Sequence, residues 1–383
     1  MEQTLEQTLE QTLEQPLEQT KEYENGDKYF GQLKDGLRHG TGKLIYNDDI
    51  TRDGIRDYYI GQWSNDLRHG LGEQYFKNSI EKYEGEWIDD QSTGLGIYEW
   101  EDGDVYRGEH VEGTEHGYGE MKYSSGNVYK GFWTNGSHDG KGEMKFADGD
   151  VYDGDWVDGL RHGNGTYNNK HSSVHDASIY VGKWLLGKKN GYGRLTFLEG
   201  DNEYYEGEWT NNNQSGMGTY HYRNGDLYYG NFIRGHENGL GEMTYANGDY
   251  YYGNWKLEHK HGHGKMEYKN GEIYEGVFNN DKVHGWGKKI YTNTDVYIGN
   301  WNTDMRHGYG KLIKYSTWTH GRRPRIQEGD WIEDKFVEVE QIRQRYNTSM
   351  SIVVRRTSTS TARHRHHRHR PYRHPPPRYR YIP

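Results

Sequence analysis

The chain has 383 residues, 31% apolar and 28% charged, a balance that in most sequences buries too little surface to offset the entropy of ordering. Thirty-six tyrosines, twelve tryptophans and 53 glycines oppose that reading, because aromatic rings at fixed positions supply contact area and glycines supply turns. The absence of cysteine excludes disulfides, thiolate catalysis and cysteine-ligated zinc, and the net charge of −10 divides between an acidic body and a basic end.

Residues 1–21 repeat Glu-Gln-Thr-Leu, with Leu5, Leu9, Leu13 and Leu17 four apart and Pro16 breaking the fourth unit. A period of four drifts around a helix, so the expectation is a frayed or disordered end, the alternative being a helix that caps the next segment or pairs with a partner. The segment lacks the basic start and apolar centre of a secretory signal, and no run of eighteen apolar residues occurs in the chain. These features predict a soluble, cytoplasmic protein.

Residues 22–340 form an array. A Tyr-x-Gly-x-Trp phrase, then a turn, then His-Gly-x-Gly recurs thirteen times, and seven of the twelve intervals between its first glycines, from Gly31 to Gly329, are 23 residues. A fixed period of this length marks units that bury their apolar faces only against neighbours. Each phrase alternates as a strand does. Tyr106 and Gly108, then Tyr129, Gly131 and Trp133, then Tyr152, Gly154 and Trp156 take one face, while Asp153 and Asp155 take the other. The tryptophan is expected to lie over bare glycine backbone, since a large ring needs a neighbour without a side chain.

Gly36, Asp66, Gly113, Gly136, Gly159 and Asn212 stand where a tight turn within a unit requires left-handed backbone. Asp102-Gly103, Asp148-Gly149, Asn224-Gly225, Asn247-Gly248 and Asn270-Gly271 are hairpin signals between units. The predicted fold is all-β, an elongated single-layer antiparallel meander of about 13 stacked β-hairpins with disordered termini. At ~4.8 Å per strand, roughly 26 strands would span about 120 Å before twist. Inserted segments at 47–57, 168–178 and 316–325 are expected to emerge as loops on a binding face, and the degenerate last unit, with Gln327 and Phe336 in place of repeat residues, is expected to cap the sheet.

Residues 341–383 carry eleven arginines and no lysine, aspartate or glutamate, which leaves −17 on residues 22–340. The core of this tail, Arg363, Arg365, Arg368 and Arg370 alternating with histidine and followed by Pro371 and Pro375 to Pro377, predicts a disordered basic segment able to meet anionic lipid, nucleic acid or acidic protein. Its bland reading is a solubilising tail that folds back on the acidic sheet. Arg355-Arg356-Thr357-Ser358 makes Ser358 a candidate phosphosite, where a phosphate would reduce the local positive charge.

The phrase from Tyr29-Phe30-Gly31 through Tyr297-Ile298-Gly299-Asn300-Trp301 and His307-Gly308-Tyr309-Gly310 resembles the MORN (membrane occupation and recognition nexus) repeat family, with twelve units fitting well and a thirteenth in part. The resemblance implies stacked β-hairpins used as scaffolds at cytoskeletal structures, cilia and membrane contacts. It also implies similarity to stand-alone members such as those of radial spoke heads. Other members precede lipid kinase or lysine methyltransferase domains, so a targeting or regulatory relative of the lipid kinases is an alternative. The 43 residues after the last unit are too few for such a domain. Membrane binding by the array itself meets an electrostatic objection, since anionic lipid attracts basic residues and this body is acidic, Arg322, Arg323 and Arg325 being a local exception.

No catalytic constellation, cofactor motif or metal site is expected. Histidines recur at His39, His69, His116, His162, His261, His284 and His307, but Thr93, Asp139, Asn190, Ser215 and Asn238 stand at the same position, as small polar groups bonding backbone at a turn would. His259, His261 and His263 share a strand face by alternation and are the one candidate metal cluster, with no acidic partner in the local sequence. Acidic pairs such as Glu84 with Glu86 and Asp153 with Asp155 read as solvated charge that discourages aggregation. Two functions remain: a non-catalytic scaffold that binds protein partners along the array, or an attachment module acting through the basic tail. Exposed strand edges at the array ends also allow self-association.

Overall fold

The computed structural model describes residues 19–47, 56–76, 81–170, 177–199, 202–315 and 323–338. Within them, 27 strands run from β1 (Gln19–Glu22) to β27 (Lys335–Phe336), and each pairs antiparallel with the next. The architecture is the expected meander. The sheet begins at Gln19, three residues before the boundary read from the repeats, because Gln19 to Glu22 pair with β2 (Lys28–Lys34).

One hairpin shows how the sequence produces the unit. Strands β10 (Val128–Thr134) and β11 (Ser137–Lys145) are joined by Asn135 and Gly136, whose φ values of 48° and 76° are both left-handed. Two left-handed residues make the turn whose twist matches the flanking strands, which is why Asn, Asp and Gly recur there. The loops between hairpins differ from the two-residue turns their Asp-Gly and Asn-Gly pairs predict. The loop at 123–127 closes with Gly126 N–H donating to the Tyr123 carbonyl at 2.8 Å, and only Gly126, at φ 90°, is left-handed. In its counterparts the Asn or Asp instead turns its side chain onto the backbone two residues on, as Asn224 accepts from Asp226 N–H at 2.9 Å.

The register contains a bulge in each of the twelve complete hairpins. Gly131 faces Gly142 and Trp133 faces His138, so three residues of β11 oppose Phe132 alone. The Tyr129 hydroxyl donates to the Phe132 carbonyl at 2.9 Å. The same bond, from core tyrosine to the carbonyl three residues on, recurs in twelve hairpins. That geometry lays the ring along its own strand, over the glycine two residues on.

It is therefore tyrosine, rather than tryptophan, that covers the bare backbone. One glycine per strand, from Gly31 to Gly329, forms a ladder across the sheet. A Cβ added at Gly96 would lie 2.6 Å from Cε2 and Cζ of Tyr83, inside any van der Waals contact. Tryptophans stand edge-on between tyrosines, Trp133 5.2 Å and Trp156 5.4 Å from Tyr129 with planes near perpendicular. Their indole N–H reaches back to a ladder carbonyl of the preceding hairpin, as Trp156 does to Gly142 at 3.0 Å.

Tyr29, Tyr129 and the ten equivalent tyrosines are fully buried, so a single layer builds its core from one alternating aromatic file. The file parts into two clusters at His110, which replaces a tryptophan and lies 5.0 Å from both Tyr83 and Tyr106. Burial lowers the His110 pKa to about 4, keeping the ring neutral. At the far edge, Phe336 packs edge-on against Trp331 at 5.2 Å.

Candidate functional site

The second residue after each left-handed turn lies above the aromatic file. In six hairpins it is a cation: Arg38, Arg68, Arg161, Lys189, Lys260 and Arg306. The Arg68 guanidinium carbon lies 4.2 Å over the Trp87 ring of the next hairpin, Arg161 4.5 Å over Trp184, and Arg306 4.3 Å over Trp331. Turn carboxylates hold three of them. Asp90 Oδ1 accepts from Arg68 Nε at 3.0 Å and from Arg68 backbone N–H at 2.8 Å, and Asp66 and Asp334 do the same for Arg38 and Arg306. Each cation thus caps a ring and clamps one hairpin to the next. Burial lowers the pKa of Lys189 and of Lys260.

The row is interrupted three times, at Ser92, Glu115 and His138, at Gln214 and Glu237, and at Val283; beneath Ser92 and Gln214 the tryptophan is replaced by His110 and Phe232, as it is by Phe278 in the hairpin after Lys260. At the second interruption, between β17 (Asn213–His221), β18 (Leu227–Ile233) and β19 (His236–Thr244), a cavity of about 490 Å³ opens above Phe232. Glu237 is only 3% exposed there and accepts a hydrogen bond from the Tyr222 hydroxyl. Burial, with Glu258 nearby adding to it, pushes the Glu237 carboxyl up to about 7.

The opposite face carries a second row, the middle residue of each Gly-x-Gly. Leu95, Tyr118, Tyr192, Met217, Leu240, Trp286 and Tyr309 stand there between 37% and 60% exposed. Leu240, Tyr252, His263 and Trp286 edge a shallow depression of about 660 Å³. The acids on this face are not all free solvated charge, contrary to expectation. Glu86, Glu109 and Asp155 accept the backbone N–H of Leu95, Tyr118 and Asn164 at 3.3, 3.1 and 2.7 Å, so they bond the backbone of the bulge.

The MORN repeat family model matches twelve segments between residues 29 and 316, one for each complete hairpin: 29–51, 59–79, 83–105, 106–128, 129–151, 152–168, 180–201, 205–227, 228–250, 251–273, 274–296 and 297–316. The chain belongs to the MORN repeat family. A comparison with curated protein sequences found no match. Among solved structures, the TCP domain of Drosophila melanogaster SAS-4 (dCPAP), in complex with a proline-rich motif of Ana2 (dSTIL), is 15% identical with a TM-score of 0.27, over 42% of this chain and 84% of that one. The TCP10 domain of Danio rerio CPAP, in complex with a STIL peptide, is 12% identical with a TM-score of 0.29, over 67% and 99%.

Tyr106, Gly108, Tyr129, Gly131, Trp133, Tyr152, Gly154 and Trp156 all occupy the core file and ladder of their MORN hairpins, as repeat residues should. Arg363, Arg365, Arg368, Arg370 and Ser358 lie outside the described residues, as do the predicted disordered ends and most of each inserted segment. His259, His261 and His263 do not share a face. Three residues of β21 (His259–Glu267) at this bulge oppose one, which breaks the alternation. His259 does have an acid, Asp281 Oδ2 at 2.6 Å from its Nδ1, supplied by the next MORN turn rather than by its own strand. Among the described residues no three His, Asp or Glu converge as a metal site. The histidine of each phrase sits in the bulge, not at the turn. What sequence reasoning missed is the cation row, although Arg-His-Gly at Arg38, Arg68, Arg161 and Arg306 was its visible signal.

Proposed function

We propose that this MORN protein is a non-catalytic scaffold that binds a protein segment along the face of the sheet opposite the aromatic file. The supporting observation is the exposed row from Leu95 to Tyr309, large apolar side chains that pack against nothing in the core, interrupted by the polar Lys141, Asn164 and His263. Core-face tyrosines and tryptophans are consumed by the stacking of hairpins, whereas Tyr118, Tyr192, Trp286 and Tyr309 keep exposed rings outside it that can anchor an interface, with the Tyr192 and Tyr309 hydroxyls already donating to Glu206 and Glu328. Phe132 extends the row locally, edge-on to Tyr118 at 5.4 Å. A partner that follows several hairpins must be extended or helical, since the row advances about 9.6 Å per hairpin. We place this scaffold in the cytoplasm, at a cytoskeletal, ciliary or membrane-peripheral structure.

The test is to express the full chain with Tyr118, Trp286 and Tyr309 changed to Ser, and to compare its co-purifying proteins and location with those of the unchanged chain. Partners should be lost while the melting temperature holds. Retention of all partners would remove the reading.

A further inference from the structure

The cavity over Phe232 opens where the preceding ring, Trp209, still carries a cation and Phe232 does not. In five hairpins a guanidinium or ammonium lies 4.2 to 4.6 Å above the ring of the next hairpin, at Trp63, Trp87, Trp184, Trp209 and Trp331. Above Phe232 the corresponding residue is Gln214, and among the described residues no cation stacks on that ring. The space is bounded by rings and acids. Tyr220 and Tyr222 stack at 4.3 Å, Glu237 is almost wholly buried with one oxygen on the Tyr222 hydroxyl, and Glu258 shares one oxygen with His236 Nδ1 at 2.5 Å. The third acid, Asp226, is committed to the Ala246 backbone N–H and to Asn224.

Aromatic faces joined to carboxylates are the surroundings a guanidinium selects, through ring stacking and charge-assisted hydrogen bonds together. The chain repeats that recipe internally, since Arg68 lies between the Trp87 ring and Asp90.

We propose that this cavity binds an arginine side chain, and that the chain's own segment 363–370 supplies it. Arg363, Arg365, Arg368 and Arg370 fall within eight residues that contain no acid, beside a body that carries the chain's excess of negative charge. Reach is ample. Arg363 follows Glu338 by 25 residues, enough to span about 80 Å when extended. The cavity lies four hairpins before the last strand, about 40 Å at two strand spacings per hairpin. Burial raises the Glu237 pKa, and an arriving guanidinium would lower it again by favouring the carboxylate. The site lies on the other face from the row proposed for partner binding, so the two readings stand or fall separately.

The experiment uses a fluorescent peptide with the sequence of residues 363–370 and the purified full chain, read by anisotropy. Changing the four tail arginines to Gln in the full chain should raise peptide affinity at least tenfold, because it removes a competitor held at high effective concentration. In that background, Glu237→Gln with Glu258→Gln should lower affinity at least tenfold. Gln214→Arg, which supplies the cation from within the chain, should lower it equally and leaves both acids in place should their loss unfold the site. Glu143→Gln with Asp153→Asn, the same charge change on the opposite face, should alter affinity less than twofold. Equal losses from the two acid pairs would reduce the site to diffuse attraction and overturn the proposal. Equal peptide affinity with and without the tail arginines would overturn the assignment of the occupant.

Discussion

The hairpin of β6 (Lys82–Ile88) and β7 (Gln91–Glu99) and the hairpin of β18 and β19 share a glycine ladder, a bulge, a left-handed turn and a buried tyrosine, and they differ in what lies above the ring. In the first, Arg68 caps Trp87 and is held by Asp90. In the second, three positions depart together: Gln214 replaces the arginine, Phe232 the tryptophan and Gly235 the turn aspartate. A turn glycine has no carboxylate to hold a cation, and the smaller ring leaves the space the cation would have filled. The difference separates two layers of specification. Ladder, bulge and tyrosine make the sheet, while the row above them is free to be closed or open.

If that separation is right, damage below the rings should be the same in both regions. A Cβ at Gly85 would lie 2.6 Å from Gly96 Cα, and one at Gly230 would lie 2.6 Å from Gly241 Cα. Backbone on both sides cannot give way cheaply, so Gly85→Ala and Gly230→Ala should each cost more than about 3 kcal/mol. Hydrogen exchange over the affected hairpins is the suitable measure, because repeat arrays unfold in parts. Clearly unequal losses would break the comparison.

Above the rings the regions should diverge with pH. Glu237 has a folded pKa of about 7 against an ordinary 4.5, so the fold favours its protonated form. Stability from this residue is fully present below pH 4.5 and is lost as pH rises to 7, by up to about 3 kcal/mol. Glu237→Gln should therefore melt with the parent chain at pH 5 and above it at pH 8, best seen with the tail arginines changed to Gln. A gap that is the same at both pH values would show that Glu237 is charged in the fold throughout. Rebuilding the closed state is the converse test. Gln214→Arg, Phe232→Trp and Gly235→Asp together should raise stability by about 1–2 kcal/mol and abolish binding of the arginine peptide.

Most of the lower layer was readable in the sequence because it is periodic: Tyr29, Gly31 and their copies recur at one spacing, and one spacing means one environment. The place of the tryptophan was not, since alternation assigns Trp133 to the glycine face but only the bulge, which lets Tyr129 reach the Phe132 carbonyl, decides which ring lies flat. The bulge also misled the reading of His259, His261 and His263 as one face. The cavity was hidden for a different reason. It depends on Gln214, Phe232 and Glu258, from three successive hairpins, and no local phrase joins them.

The smallest expected effect lies outside both regions and asks whether the loops between hairpins are a third, independent layer. Six of these loops place glycine at the left-handed position, Gly103, Gly126, Gly149, Gly225, Gly248 and Gly271, with φ between 87° and 96°. Thr294 holds the same position at φ 67° and closes the same bond, its N–H donating to the Tyr291 carbonyl at 2.9 Å. A β-branched residue in left-handed backbone is strained, because its Cβ crowds the adjoining carbonyl. Thr294→Gly relieves that crowding but also gives the unfolded chain more freedom, and the two effects oppose each other. Relief should win, giving a net gain of about 1 kcal/mol with unchanged peptide binding at the Phe232 cavity. A loss of stability would mean that neighbouring contacts make threonine the preferred residue there, and that loop and sheet are specified together.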